Sequence, residues 1–282
     1  MPLLDELMNH GAAGLWTALD IIFMYLHPGK APDRPLEKKL KEILISDELF
    51  KAPVRHAMDG HHLEESVALL ARHKMLDGRY VRALARQMLT LADVKESTTF
   101  MELDGAVRKA LSILLPLFPN EVWAGIAPRL IAKRSRSHYW LEQLLETEAE
   151  DNIGAGPLFA LPPNVYLDWV RADAAARAGI VVRWLPIARK NESGVLEWHP
   201  ALESFVAEFG AHEAVPNEIA RRMHPRGWWG SLVPFLEPWL PLLRGWLTQP
   251  IPQVRTWAQQ QIQHMDELIA FHSKRDEERE VR

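Results

Sequence analysis

Apolar residues recur along most of this chain at three- and four-residue steps, the spacing of one face of an α-helix. In "TTFMELDGAVRKALSILLPLFP" (98–119), Phe100, Leu103, Val107, Leu111, Leu114 and Phe118 make a single stripe. Thr98 or Thr99 is placed to cap its start and Pro119 to help end it. The carboxyl-terminal stretch repeats the pattern, with Ile251, Val254, Ala258, Ile262, Met265 and Ile269 on one face. Gln259, Gln260, Gln263 and Glu267 surround that face. No segment alternates convincingly with a period of two. "GIVVRWLP" (179–186) is the one β-branched cluster, and "DAAARA" before it makes it the continuation of a helix. The pattern predicts an all-α chain.

Breaks in the pattern are short and frequent: "HPGKAPDRP" (27–35), "DGHH" (59–62), "LDGR" (76–79), "FPN" (118–120), "KNESGVLEWHP" (190–200) and "QPIPQ" (249–253). Short connections between helices of roughly ten to twenty residues imply antiparallel neighbours, hence stacked helical hairpins rather than a bundle with long crossovers. One break is longer. "EDNIGAGPLFALPPN" (150–164) places Gly154, Gly156 and three prolines between helical stretches, the composition of a subdomain boundary. The expected organisation is an amino-terminal helical subdomain (1–149), a connector (150–164) and a carboxyl-terminal helical subdomain (165–282).

Three segments share a further pattern: "DGAVRKALSILLP" (104–116), "DAAARAGIVVRWLP" (173–186) and "PIPQVRTWAQQQIQHM" (250–265). Each has a helix-start residue, then an arginine (Arg108, Arg177, Arg255), then a small residue (Ala110, Ala178, Ala258) and a long apolar face. This resembles the second helix of HEAT-like repeats over about the last two thirds of the chain. The resemblance implies a HEAT-like α-solenoid in which arginine and aspartate stack along a ladder between neighbouring repeats. Such a unit cannot bury its apolar face alone. It stacks on neighbours, and the array curves into a concave surface that binds macromolecules.

Composition removes some chemistry. At 282 residues, 48% hydrophobic and 25% charged, the chain can bury a substantial core and has the balance of a globular protein. A formal net charge of -4 excludes a protein that is basic throughout, though not a local basic face. With no cysteine, disulfides, thiolate catalysis and thiolate metal sites are impossible, and a cytoplasmic location is expected. The start, "MPLLDELMNH", carries acids where a signal peptide would be basic. The apolar run "GLWTALDIIFMYLHPG" (14–29) is interrupted by Asp20 and is too short to span a bilayer. No membrane association is expected.

Phosphate-loop, dinucleotide, nucleophile-elbow and H-E-x-x-H motifs are all absent, so no catalytic residue, metal or cofactor is assigned. "RHAMDGHHLEESVALLARHK" (55–74) holds four of the twelve histidines. His61 and Glu65 would share a helical face there, and with His56 could nominally ligate a divalent ion. The favoured reading is plainer, an Asp59 cap followed by an exposed first turn. "KRSRSHYW" (133–140) and "RRMHPRGWW" (221–229) each run basic residues and a histidine into an aromatic pair. Their candidate contact residues are Lys133, Arg134, Arg136, Tyr139, Trp140, Arg222, Arg226, Trp228 and Trp229. Guanidinium groups could meet phosphates and rings could stack on bases. Alternatively the cations finish helices against the carboxyl-end dipole, and the rings bury themselves.

Between Arg222 and Leu247 lie four of the eleven tryptophans. From Ser231 the apolar residues Leu232, Phe235, Leu236, Trp239, Leu240, Leu243, Trp246 and Leu247 form a helical stripe. Pro238 and Pro241 cannot both sit inside a straight helix, so a restart at Glu237–Trp239 is predicted. Trp239 and Trp246 then belong to the core, and Trp228 or Trp229 is free to face solvent. "WWGS" followed by "GWLTQPIPQVRTWA" is also similar to HEAT-like DNA glycosylases that excise alkylated bases. In that group a catalytic aspartate follows such a tryptophan pair. Here Gly230 occupies that position, so catalysis of that kind is not expected. The charged tail "HSKRDEEREVR" (272–282) is read as a fraying helix end.

The expectation from sequence is therefore a non-enzymatic helical-repeat scaffold. It would bind a protein partner through a concave or tryptophan-rich carboxyl-terminal surface. The alternative is nucleic-acid binding through 133–140 and 221–229.

Overall fold

A computed structural model describes residues 2–26, 30–50, 58–93, 97–131, 141, 144–145, 157–225 and 229–280. These residues are mostly helical, as the apolar spacing requires. They divide into two compact units, Met1–Glu146 with Ala160–Tyr166, and Thr147–Phe159 with Leu167–Arg282.

The first unit holds α1 (Pro2–Met8), α2 (Gly11–Tyr25), α3 (Arg34–Leu44), α4 (Met58–Arg72), α5 (Gly78–Leu89), α6 (Ser97–Leu117) and α7 (Pro119–Leu130). Side-chain caps set several starts. Asp33 accepts the Leu36 N–H at 2.9 Å to open α3, and Asp77 accepts the Tyr80 N–H at 2.9 Å to open α5, each satisfying a donor that the helix itself cannot. Pro119 sits in the first turn of α7, where its missing N–H costs nothing. The predicted stripe of α6 is its core face: Leu103, Val107, Leu111 and Leu114 are all fully buried. The cap expected at Thr98 or Thr99 falls inside the helix, which begins at Ser97. The main helix pairings skip one element, α4 packing along α6 and α5 along α7, while α2 touches both α3 and α4.

The predicted break at 59–62 is not a break. "DGHH" lies within the first turns of α4, which begins at Met58, so the fully buried Asp59 stands inside the helix rather than at its cap, while His61 is exposed as the first turn was expected to be.

The second unit contains α9 (Ala174–Val182), α10 (Pro200–Phe209), α11 (Ala214–Met223), α12 (Val233–Leu236), α13 (Trp239–Gly245) and α14 (Pro252–Glu280); α8 (Pro163–Arg171) precedes them. Asp173 caps α9 by accepting the Ala176 N–H at 3.3 Å. His199 caps α10 by accepting the Ala201 N–H at Nδ1, 3.1 Å away. Again the pairing skips an element, with α9 against α11, while α12 and α13 pack on α14. Pro238 precedes α13, so the chain restarts at Trp239 as the two prolines require. The tail does not fray where its charge suggests. α14 runs to Glu280, and His272 is buried.

One element departs from the all-helical expectation. The predicted loop 190–200 forms the turn and second strand of a two-stranded antiparallel hairpin, β1 (Ala188–Lys190) with β2 (Leu196–Trp198), in register Ala188 to Trp198. Asn191 Oδ1 accepts the N–H groups of Ser193 and Val195, each at 3.0 Å. Gly194 adopts φ +77°, a conformation that side chains with a Cβ rarely take. Arg189 and Glu197 pair across the strands at 2.6 Å. Among the described residues no helix is long and apolar enough to cross a membrane.

Candidate binding site at the tryptophan-rich end

The hairpin presents Trp198 to the second unit's core. Its ring stacks on Trp246 at 4.1 Å between centroids and 18° between planes, and lies 5.9 Å from Trp239. Trp257 of α14 closes the group, 5.8 Å from Trp246. The sequence builds this cluster in two ways. Trp239 and Trp246 are seven residues apart and so return to one face of α13 and the turn after it. The strand end brings Trp198 from the other side. All four rings are buried, as expected for Trp239 and Trp246. Trp198 Nε1 donates to the Leu242 carbonyl at 3.1 Å. This cluster is a platform, not a contact surface.

Above the chain's return from α11 the picture reverses. Trp229 is 99% exposed. Gly230 beside it adopts φ +83° with open space around its Cα, turning the chain sharply after the indole. The Val233 N–H then donates to Ser231 Oγ at 3.2 Å, securing the far side of the turn. On the near side His224 follows α11, half-buried, with its ring 6.3 Å from that of His264 on α14. Burial, and then the His264 charge, hold the His224 imidazole below its ordinary pKa of 6.5. Phe235 and Leu247, on the next helix and turn, are also exposed.

Arg222 is a correction. Placed among the contact residues by sequence, it is 7% exposed and its Nη1 donates to the carbonyls of Val182, at 2.7 Å, and Leu185. Val182 is the last residue of α9, where a helix carbonyl has no partner within the helix, and Leu185 lies in the turn that follows. Its neighbours reinforce the junction: Glu218 accepts a hydrogen bond from Arg221 Nε at 2.7 Å and forms an ion pair with Arg183, whose Nε lies 3.3 Å away. The cation finishes a helix, but as a buried tertiary clamp on another helix. Arg226, Trp228, Lys133, Arg134, Arg136, Tyr139 and Trp140 lie outside the described residues. Of the nine candidates, Trp229 is the one whose side chain is seen in solvent.

The arginines behind the expected repeat ladder bond locally. Arg108 pairs with Asp104 one turn away. Arg177 Nη1 donates to the Trp169 carbonyl at 2.8 Å with its guanidinium over that ring at 4.9 Å. Arg255 Nη1 reaches Gln249 O at 2.7 Å and Pro250 O at 3.0 Å.

A second polar arrangement, in the first unit, was not singled out from sequence. His62 Nδ1 lies 2.7 Å from Asp20 Oδ1, and the His62 ring stacks on Phe23 at 4.9 Å. Asp20 is the lone acid in an apolar helix, and that isolation was the available signal: a part-buried carboxylate needs a donor. His61 is exposed on α4, Glu65 is half-buried, and His56 lies outside the described residues. Among the described residues no group of three or more His, Asp or Glu side chains is arranged to hold a metal ion.

No family model, curated protein or solved structure matches this chain.

Proposed function

We propose that the chain is a non-enzymatic scaffold of stacked helical hairpins, HEAT-like in its pairing, that docks a protein partner at the tryptophan-bearing end of its second unit. The observation that carries this reading is Trp229, 99% exposed. An exposed indole normally costs solubility, and it offers a large contact area at the loss of only two side-chain torsions when covered. On its far side the turn is held by the Val233 N–H bond to Ser231 Oγ. The stacking part of the reading is supported by the alternate-helix pairings α4 with α6, α5 with α7 and α9 with α11, the pairings that stacked hairpins would produce.

The test compares wild type with Trp229→Ala on an affinity matrix. A protein retained by wild type and lost by the variant is then purified, and its binding to both is measured by calorimetry. The expected result is an affinity weaker by tenfold or more in a variant of unchanged stability, as for a buried aromatic anchor worth about 2 kcal/mol. Equal affinities would overturn the assignment of Trp229.

A further inference from the structure

We infer that the exposed face of α5, continued through the turn before it, is a docking surface for the phosphodiester backbone of a nucleic acid. The helix hides Val81, Leu84, Ala85 and Met88 in the core and leaves Arg79, Arg82 and Arg86 exposed. At about 100° per residue these three fall within roughly a 60° arc, rising about 4.5 and then 6 Å along the axis. Arg72 and Lys74 are exposed just before them, and Lys74 adopts φ 56° in the turn. From 72 to 86 there are five cations and one acid, Asp77, and the Asp77 carboxylate is used to cap the helix. The whole chain carries a net charge of -4, so this concentration runs against the overall balance.

What separates the strip from an ordinary solvated face is that its charges are unpaired. None of the five cations has an ion-pair or hydrogen-bond partner among the described residues. Several other cations of the unit are matched: Lys41 with Glu37 at 2.6 Å, Lys39 with Asp5 at 2.6 Å, Arg129 with Asp93 at 2.5 Å. A solvent-facing helix commonly interleaves acids at i,i+4, as α3 does; α5 has none in its length. The nearby carboxylate is Glu121 of α7, beside Gly78 at the amino end of α5, where a helix favours negative charge.

The chemistry of the strip selects its partner. Protein interfaces are organised around apolar and aromatic anchors with charge depleted at the centre. No large apolar side chain between 72 and 86 is exposed. Nucleic-acid interfaces are polar and strongly positive, and planar guanidinium forks match phosphate oxygens in pairs. The surface lies in the first unit, and its test is independent of Trp229.

The test is fluorescence anisotropy of the full chain with short labelled single-stranded RNA and duplex DNA across a salt series. Three to five phosphate contacts predict binding at low salt, with log affinity falling against log salt at a slope of about -2 to -4.5. Arg79→Ala, Arg82→Ala and Arg86→Ala together should abolish it, and each alone should reduce the slope by about 0.7 to 0.9. Replacing all three by lysine should preserve the slope, since charge is kept. Circular dichroism verifies that the variants are folded. The inference is overturned by no binding at low salt, or by a triple alanine variant that binds like wild type. Loss of binding in Arg134→Ala with Arg136→Ala instead, or displacement of the probe by polyglutamate at equal charge, would also overturn it.

Discussion

Arg222→Ala separates a structural arginine from a contact arginine. The side chain is 7% exposed, and one guanidinium nitrogen serves two carbonyls, at the end of α9 and in the turn that follows. Hydrogen bonds from a charged donor contribute about 1.5 to 3 kcal/mol, and buried carbonyls left without a donor cost a similar amount. Because both bonds share Nη1, they are counted once, at about 2 to 3 kcal/mol. The buried aliphatic stem adds about 1 to 2 kcal/mol, at about 0.8 kcal/mol per methylene. The expected loss is therefore about 3 to 5 kcal/mol. With a urea dependence of about 1 to 3 kcal/mol per molar, the second unit's midpoint should fall by more than about 1 M, followed by far-UV circular dichroism. Arg222→Lys keeps the charge and a nitrogen able to donate to two carbonyls, but its ammonium is more strongly hydrated and lacks the planar guanidinium, and it should fall between the two. A variant with unchanged stability and reduced partner binding would refute this reasoning and return Arg222 to the surface.

The tryptophan cluster makes a differential prediction. Trp198→Phe removes the donor to Leu242 O, whereas Trp246 Nε1 has no partner to lose. Trp198→Phe should therefore cost about 1 kcal/mol more than Trp246→Phe in urea unfolding, and equal losses would count against the hydrogen bond. The cap of α10 makes a pH prediction. His199 Nδ1 must be unprotonated to accept the Ala201 N–H, and burial, then the Arg189 charge, hold its pKa below 6.5. The unfolded chain thus binds the proton more readily, so the contribution is complete above about pH 6.5 and is lost as pH falls from there through the folded value. His199→Asn, a cap that does not titrate, should flatten that loss between about pH 7.5 and 5; an unchanged slope would remove His199 as its source.

How far the sequence discloses this molecule differs from element to element. The stripe of α6 is legible because its repeat persists for five turns, longer than chance alternation. The restart at Trp239 is legible because proline acts locally, by a missing donor and a clash one turn back. The hairpin at 188–198 is not, since two three-residue strands hold too few positions to establish a period of two. Its trace was the turn, Asn191 through Gly194. The burial of Arg222 and the meeting of Asp20 with His62, 42 residues apart, depend on which helix ends face one another. A cation at a helix end reads the same in either case. The strip on α5 is visible in "RYVRALARQ", but spacing along one helix does not say whether a neighbour supplies acids. Here Glu121 of α7 lies beside Gly78, but no described carboxylate pairs with Arg79, Arg82 or Arg86.

The central claim is that the second unit docks a protein through Trp229 while the arginine seven residues earlier holds the fold. The most direct measurement is the dissociation constant of the partner for wild type and Trp229→Ala, taken beside the unfolding midpoint of each. The account predicts affinity weaker by tenfold or more and a midpoint unchanged within about 0.5 kcal/mol of stability. Unchanged affinity, or a loss of affinity that only follows a loss of stability, would contradict it.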